Sequence, residues 1–314
     1  MKVLICDNLE KAGVDHFKGK GTVKADVSSA MTPAELKRTI ARYDGIIVRS
    51  ATKITKDVLE SAPRLKVIGR AGIGLDNIDV SAASRKGVVV MNTPGANAIT
   101  TAEHSISLLL SLSRHIPQAT ASLKAGKWEK KKFMGVEIFN QTLGIIGFGN
   151  IGQVVADRAQ GLKMQVIVYD PFLSKETMAK MGYEKVTFDQ LLKRSDYITI
   201  HTPLNRDTNN LLDKKAFQKV KKGVRIINCA RGGIVNEKDL YTAIKQGKVA
   251  GAALDVFEQE PPGDHPLFGL PEVIGTPHLG ASTSQAQARV AEVIARQVKD
   301  YLGQGIIKNA VNVP

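Results

Sequence analysis

Side chains suited to acid–base chemistry on an anionic substrate each follow a short apolar run in this sequence. Arg231 follows the run at 225–230, and because a guanidinium stays charged and is costly to bury unpaired, it suits an anion. His278 follows "VIGTP" and would exchange a proton near neutral pH. Glu258 and Glu260 follow "ALDVF", and either carboxylate would orient an imidazole and favour its charged form. Such a set can hold a carboxylate, polarise a carbonyl and move one proton, as hydride transfer between an alcohol and a ketone requires.

A glycine-rich turn supplies a second chemical signal. The segment "GFGNIG" contains Gly147, Gly149 and Gly152; a strand-like run enters it, a helical pattern leaves it, and the next strand-like run ends on Asp170. In a dinucleotide-binding unit these glycines allow a tight turn, the approach of a pyrophosphate to a helix N-terminus, and close packing of helix on strand. Asp170 would bind the ribose hydroxyls and repel a 2′-phosphate, so NAD is the predicted cofactor. A ligand-free turn and an aspartate that only caps a strand end are the alternatives.

The elements that must position these residues follow a regular alternation. Apolar, β-branched runs alternate with helical patterns, which predicts parallel sheets of an α/β fold. Because ligands bind beyond the carboxyl ends of such strands, the arginine, carboxylate and histidine are expected at one sheet edge. The predicted strands are 3–6, 45–48, 66–69, 88–91, 142–146, 165–169, 197–200, 224–228, 251–254 and 273–275.

Two helices are predicted outside this alternation. One begins at a capping box of Thr100 and Glu103 and carries an apolar stripe at Ile106, Leu109, Leu110 and Leu112, which suits a subunit interface or a buried helix between domains. The other lies within 284–314 and is expected to return onto the first domain.

Composition narrows the class of protein. The chain has 314 residues, 43% of them hydrophobic, which is enough for roughly two domains. The net charge of +14 comes from dispersed lysines and arginines, so a small anionic substrate is favoured over nucleic acid. Cys6 and Cys229 lie in apolar runs and are interpreted as core residues, with no metal site predicted. No membrane span or signal peptide is recognisable, so no membrane partner and a cytoplasmic location are expected.

The segments "GRAGIGLDNID", "GIIGFGNIG", "HTPL", "NCARGGIVNE", "GAALDVFEQEPP" and "PHLGAST" resemble the D-isomer-specific 2-hydroxyacid dehydrogenase family over nearly the whole chain. The resemblance implies two doubly wound parallel-sheet domains, a Rossmann NAD-binding domain inserted in a flavodoxin-like substrate-binding domain. The implied bounds are 97–283 for the NAD-binding domain and 1–96 plus 284–314 for the substrate-binding domain. Many members also carry C-terminal regulatory domains, so the chain is expected to be a short, unregulated form or a truncated one.

The resemblance also assigns residues. It makes Arg231 the carboxylate-binding arginine, His278 the acid/base and Glu260, in preference to Glu258, its partner; His201, a rival histidine, receives no acid/base role and is interpreted as structural. Close relatives often have threonine where Ile73 stands, which leaves only a backbone contact there. Besides the glycine turn and Asp170, the implied NAD contacts are Ile73, Asn150, Ile151, Thr202, Cys229, Ala230, Arg231, Asp255, His278, Gly280 and Ala281. The implied substrate contacts are Arg49, Ser50, Arg70, Ala71, Gly72 and Asn92, with Lys130 or its neighbours reaching a partner subunit's substrate.

The activity implied is NAD-dependent oxidation of D-3-phosphoglycerate to 3-phosphooxypyruvate, the first step of serine synthesis. The segments "VRSATKIT" and "ATASLKAGKWEKKKFMG" favour this substrate. Two alternatives stay open: a reductase of hydroxypyruvate, glyoxylate or a lactate-type acid, and a non-catalytic NAD-sensing protein of the corepressor kind, because fold does not fix function. A homodimer or homotetramer is expected.

Overall fold

The computed structural model describes residues 1–19, 21–29 and 31–313. The chain divides into two compact units, Met1–Asn97 with Ala281–Pro314, called the N-terminal unit below, and Ala98–Gly280, called the central unit. The α/β class predicted from the alternation is confirmed, since both units are parallel sheets flanked by helices. Within the described residues, no helix combines the length and the apolar content needed to cross a membrane.

The strands of both sheets are short and mostly buried. In chain order they are β1 Lys2–Ile5, β2 Lys24–Val27, β3 Gly45–Val48, β4 Val67–Arg70, β5 Val89–Met91, β6 Thr142–Ile146, β7 Gln165–Tyr169, β8 Glu184–Lys185, β9 Tyr197–Ile200, β10 Val224–Asn228, β11 Val249–Leu254 and β12 Val273–Gly275. All ten predicted strands are present. The sequence reading missed β2 and β8, an edge strand in each sheet.

The helices connect these strands. In chain order they are α1 Lys11–Asp15, α2 Pro33–Ile40, α3 Lys56–Glu60, α4 Val80–Arg85, α5 Ala98–Arg114, α6 Ile116–Lys124, α7 Asn150–Gly161, α8 Lys175–Lys180, α9 Phe188–Arg194, α10 Lys214–Lys219, α11 Glu237–Lys245 and α12 Ser284–Gln304, with 3-10 helices at Lys130–Phe133 and Pro266–Gly269.

The sheet of the N-terminal unit has the order β2-β1-β3-β4-β5, the flavodoxin-like form of the doubly wound fold. Side chains alternate across it, so that Leu4 and Ile46 pack under α2, α3 and α4, while Val3 and Ile47 face α1 and α12. The C-terminal helix α12, which was expected to return onto the first domain, packs on β3 and β4.

The sheet of the central unit has the order β12-β11-β10-β9-β6-β7-β8. From β8 to β12 this is the Rossmann order 3-2-1-4-5-6 extended by one strand. Helices α9, α10 and α11 cover one face and α5 and α7 the other. Both faces are therefore buried, as parallel sheets require.

The long helix α5 corrects one prediction and refines another. It begins at Ala98, so Thr100 lies inside the helix and the proposed capping box with Glu103 is wrong. Leu109 and Leu112 are buried in the core of the central unit, and the rest of the apolar stripe packs against the same cluster. The stripe is thus accounted for by packing within its own unit.

Candidate active site

Three neighbouring strands of the central unit deliver the predicted chemical groups to one edge. Strands β10, β11 and β12 are parallel and adjacent, with Asn228 paired to Leu254 and Leu254 to Gly275 at their carboxyl ends. Arg231 follows the first of these strands, Glu260 the second and His278 the third. The loops that carry them therefore leave the sheet on the same side.

His278 and Glu260 form a hydrogen-bonded pair. The Nδ1 atom of His278 lies 2.7 Å from Oε2 of Glu260, and the other carboxylate oxygen, Oε1, accepts the Phe257 N–H at 3.2 Å. Both side chains are partly exposed. If Nδ1 carries the proton donated to the carboxylate, Nε2 is left as the ring atom that can exchange a proton with a substrate.

Glu258, the rival carboxylate, is engaged differently. Its backbone N–H donates to Oε1 of Glu237 at 2.7 Å, while the Oε2 atom of Glu237 lies 3.0 Å from the His265 ring. The structure thus pairs His278 with Glu260, the glutamate that the resemblance preferred.

Arg231 lies in a turn that is held by the Asn228 side chain. The Asn228 side chain donates to the Arg231 carbonyl at 2.9 Å and accepts the Ala230 N–H at 3.0 Å. The next residue must be small, because a Cβ at Gly232 would lie 1.8 Å from the Phe257 carbonyl oxygen. The turn carrying Arg231 therefore abuts the loop that carries Glu260.

The segment after β12 is fastened by a buried carboxylate. The Asp255 side chain accepts the N–H groups of Leu279 and Gly280, both at 2.7 Å, and the Thr276 hydroxyl at 2.6 Å. The His278 N–H donates to the Asp255 carbonyl at 2.9 Å, and His278 itself has φ +54, an uncommon value for a residue other than glycine. Asp255 thus holds the backbone of the histidine segment on both sides of the ring.

His104 completes this network and was missed by the sequence reading. Its Nε2 lies 3.2 Å from Asp255 Oδ1 and 3.2 Å from Thr276 Oγ1. Burial alone would raise the pKa of Asp255, but the hydrogen bonds from His104, Thr276 and the two backbone N–H groups outweigh it and hold the pKa below its usual value. The only sequence feature that could have pointed to His104 was its position as a single histidine among the apolar and small residues of α5.

Cys229 brings a sulfur close to the same network, so that one donor atom each from His104, Cys229 and Asp255 lies within 4.8 Å of the others. However, Asp255 Oδ1 already accepts three hydrogen bonds, and burial raises the pKa of the Cys229 thiol to about 12. We therefore interpret the cluster as a hydrogen-bonded support of the site.

The glycine turn has the backbone geometry of a phosphate-binding loop. Gly147 has φ +89, and a Cβ there would lie 2.5 Å from the His201 carbonyl oxygen; a Cβ at Gly152 would lie 2.2 Å from the Gly147 carbonyl oxygen. At Gly149, the N-cap of α7, a Cβ would meet no atom within 4 Å, and no side chain caps the helix. The helix N-terminus, with Asn150 and Ile151 in its first turn, is therefore open on the side where a pyrophosphate would approach.

Asp170 ties the turn to the end of β7. One carboxylate oxygen accepts the Phe148 N–H at 2.8 Å, and the other accepts those of Phe172 at 2.8 Å and Leu173 at 3.2 Å. Asp170 therefore does cap the strand end, which was the alternative to a role in binding the ribose. It does not exclude the ribose contact, because two carboxylate oxygens offer about four acceptor sites and three are used here.

His201 lies beside this turn, after β9. Its Nε2 is 2.9 Å from Thr199 Oγ1, and burial lowers the pKa of the ring to about 3. The ring is therefore neutral at neutral pH and unsuited to donate a proton there, in line with the structural interpretation. Thr202 follows it at the same sheet edge as Cys229 and Ala230, which come after β10.

The remaining predicted contacts lie elsewhere. Lys130 is in the exposed 3-10 helix Lys130–Phe133, outside the loops that follow the strands of the central sheet. Gly280 ends the central unit, and Ala281 opens the second segment of the N-terminal unit.

The predicted substrate residues cluster within the N-terminal unit. They occupy the carboxyl ends of three adjacent strands, with Arg49 and Ser50 after β3, Arg70 at the end of β4, and Asn92 after β5. Ala71 and Gly72 directly follow Arg70.

This cluster is braced by short-range contacts. A Cβ on Gly72 would lie 1.5 Å from Arg70 Nη1, so only glycine leaves room for the guanidinium as placed. The Asn92 side chain donates to the Ile73 carbonyl at 2.8 Å, which leaves Ile73, a predicted cofactor contact, in the same cluster.

The central unit combines a Rossmann sheet, an open glycine turn, and an Arg, a Glu and a His that follow three adjacent strands. This combination is typical of dinucleotide-dependent oxidoreductases. Residues 106–280 match the model of the D-isomer specific 2-hydroxyacid dehydrogenase NAD binding domain, which is more than half of the chain. The chain belongs to the D-isomer specific 2-hydroxyacid dehydrogenase family, and its central unit is an NAD-binding domain.

Similarity to known proteins extends over the whole chain. It is 48% identical over 315 residues to a D-3-phosphoglycerate dehydrogenase of Archaeoglobus fulgidus, covering 100% of this chain and 60% of that protein. The chain thus spans about three fifths of the length of this relative.

Two solved structures share the fold. A protein from Thermus thermophilus superposes with a TM-score of 0.91 at 32% identity, covering 99% of this chain and 100% of the other. A D-lactate dehydrogenase from Aquifex aeolicus, complexed with NAD and lactic acid, has a TM-score of 0.85 at 27% identity, with 99% of each chain covered. These similarities bear out the fold and the cofactor predicted from the sequence.

Proposed function

We propose that the chain is an NAD-dependent dehydrogenase that oxidises D-3-phosphoglycerate to 3-phosphooxypyruvate, in the phosphoserine route to L-serine. The observation that carries the chemistry is the 2.7 Å pair of His278 and Glu260, which follow β12 and β11, while Arg231 follows β10, the next strand of the same sheet. The choice of substrate is supported by 48% identity to a D-3-phosphoglycerate dehydrogenase.

Each of the three residues has one task in this proposal. Neutral His278 takes the hydroxyl proton on Nε2 while Glu260 accepts the hydrogen bond from Nδ1 and stabilises the imidazolium that forms. The Arg231 guanidinium holds the α-carboxylate and stabilises charge on the reacting oxygen. When bound, NAD supplies the acceptor for the hydride that leaves C2 of the substrate.

The cofactor and the substrate are assigned to different units. The N-terminus of α7 would hold the pyrophosphate and Asp170 the adenosine ribose, with Thr202, Cys229, Ala230 and Asp255 lining the same edge. The N-terminal unit would bind the substrate, since Arg49 and Arg70 supply positive charge at the carboxyl ends of its strands, as a substrate with a carboxylate and a phosphate requires. Location in the cytoplasm stays a prediction.

The test is NADH formation at 340 nm from a panel of 2-hydroxy acids. We expect D-3-phosphoglycerate to give the highest kcat/KM, and Arg231→Ala and His278→Ala each to lower kcat by about 10³-fold or more while NADH fluorescence still reports binding. Full activity of the His278 variant would overturn the assignment of the acid/base.

A second candidate substrate is an unphosphorylated 2-hydroxy acid. It is favoured by the likeness to the D-lactate dehydrogenase of Aquifex aeolicus, whose structure holds lactic acid. Comparing kcat/KM for lactate, glycerate and D-3-phosphoglycerate at two salt concentrations separates the candidates, because only the phosphorylated acid should lose rate steeply with salt. No turnover on any acid would instead favour the NAD-sensing alternative.

We also propose that the protein forms a homodimer or homotetramer. The central unit exposes large apolar side chains at Trp128, Met134 and Phe139, which are 83%, 82% and 59% accessible, and no residue of α6 is buried. Exposed apolar side chains of this size suit an interface with a second copy of the chain. Analytical ultracentrifugation of the wild type and of Trp128→Ser would test it, with the variant expected to shift toward the monomer.

A further inference from the structure

The loop that carries two of the proposed substrate contacts is tied down by side chains that no sequence pattern singled out. This loop, 49–52, follows β3. The Asp7 carboxylate accepts the N–H groups of Arg49 at 2.8 Å and of Thr52 at 3.1 Å through Oδ2, and the Thr52 hydroxyl at 2.6 Å through Oδ1. One carboxylate therefore fixes both ends of the loop.

The Asn77 side chain binds the carbonyl groups of the same two loop residues. Its Nδ2 donates to the carbonyl of Arg49 at 2.8 Å and to that of Thr52 at 2.7 Å. Asn77 is itself anchored, because its carbonyl accepts the Ile54 N–H at 2.8 Å. Arg49 and Thr52 thus have both backbone groups engaged, which leaves their loop few alternative conformations.

Asp7 reaches this position from the neighbouring strand. It follows β1, which pairs with β3, and the Cys6 N–H extends that pairing to the Ile47 carbonyl at 2.9 Å. Asp7 and Asn8 have φ +60 and φ +49 in the left-handed region, which costs energy in residues other than glycine. The chain therefore departs from extended backbone just where the Asp7 carboxylate faces the loop.

We propose that Asp7 and Asn77 are positioning residues that hold loop 49–52 in the conformation that presents the Arg49 guanidinium and the Ser50 hydroxyl to the anionic groups of the substrate. Ser50 is exposed and Arg49 partly so, while the backbone is held from within the unit. The loop is then ordered before the substrate arrives, and binding does not bear that cost. This inference rests on the proposed function, because the loop matters only if it contacts the substrate.

The test is steady-state kinetics with D-3-phosphoglycerate for Asp7→Ala and Asn77→Ala. We expect each change to raise KM about tenfold, with kcat and the Kd of NADH changed less than about twofold, because the loop loses its order but not its side chains. Asn77→Ala is a second variant with the same expected result, should Asp7→Ala fail to fold.

Two further variants separate positioning from general stability. In Asp7→Asn the amide oxygen can accept both N–H groups and the amide NH₂ can donate to the Thr52 hydroxyl, so KM should return to within about threefold of the wild type. Asp44→Ala is the matched control. The Asp44 carboxylate accepts the Lys2 N–H at 2.8 Å. Lys2 begins β1 and Asp44 directly precedes β3, so this contact lies at the opposite end of both strands from Asp7 and the loop. An equal rise of KM in Asp44→Ala would overturn the proposal.

Arg49→Ala distinguishes this proposal from the proposed function. If Arg49→Ala leaves KM unchanged, the substrate assignment of the loop is wrong. If it raises KM but Asp7→Ala and Asn77→Ala do not, the positioning role is wrong and the function stands. If all three raise KM, Asp7→Ala should raise KM less in the Arg49→Ala background than in the wild type, because the Arg49 contact is already lost there and only the Ser50 contact remains to be disturbed; full additivity would contradict positioning.

Discussion

Replacing Glu260 by glutamine tests the proposed chemistry most directly. The carboxylate accepts from the His278 ring with one oxygen and from the Phe257 N–H with the other. Glutamine has a single acceptor oxygen, so its NH₂ group must face one of these two partners. If it faces the ring, Nδ1 must become the acceptor, and the proton moves to Nε2, the atom that has to receive the substrate proton.

The expected loss follows from the bond that is removed. A hydrogen bond to a charged group contributes about 1.5–3 kcal/mol, and each 1.4 kcal/mol is tenfold in rate, so kcat should fall about 10- to 100-fold. Because 48% of His278 and 38% of Glu260 are exposed, solvent screening favours the lower end of that range.

The assay is NADH formation from D-3-phosphoglycerate, with Glu258→Gln as the matched control. Glu258 lies two residues away and is held through its backbone N–H, so its variant should retain at least about half of the wild-type kcat. Undiminished turnover in Glu260→Gln, or an equal loss in Glu258→Gln, would refute the assignment.

Three further outcomes follow from packing and burial. Gly232→Ala should lower the free energy of unfolding by about 1–3 kcal/mol in urea titrations, since its Cβ would meet the Phe257 carbonyl oxygen; unchanged stability would contradict the close approach. The pKa of His201 is lowered from 6.5 to about 3, so between these pH values the unfolded chain binds more protons than the folded one. The free energy of unfolding of the wild type should therefore decrease as the pH is lowered from 6.5 to about 3, and His201→Gln should lack the contribution of this group to the decrease. Cys229, with its pKa raised to about 12, should resist iodoacetamide at pH 8 in the native protein and react after unfolding, as mass spectrometry will show.

Most of the fold could be predicted because its strands are apolar on both faces. The strands found from the sequence are buried runs such as "GIIV" and "TLGII". The missed ones lack that signal: β2 reads "KADV" and is largely exposed at the sheet edge, and β8 has only two residues. The capping box at Thr100 failed because the helix begins earlier, at Ala98, whereas the same pattern at Thr32 and Glu35 does start α2.

The site was predictable only where residue type and strand position coincide. Arg231, Glu260 and His278 follow strands that pair side by side, so the carboxyl-edge rule places them together. His104 contacts Asp255, which lies 151 positions further along the chain, and Asp7 contacts Arg49 and Thr52, which lie 42 and 45 positions further along. Such partners become neighbours only after the chain has folded. The spacing of these residues in the sequence does not indicate that they will be in contact.

The division of the N-terminal unit between the two ends of the chain sets an order on its assembly during synthesis. Its first 97 residues contain all five strands, but Val3, Ile47 and Val67 pack against Ile294 and Val298 of α12. A ribosome must make the whole central unit before it makes that helix. The central unit can therefore complete its core first, while the face of the first sheet that α12 covers has only α1 and its flanking residues packed on it until α12 has been made.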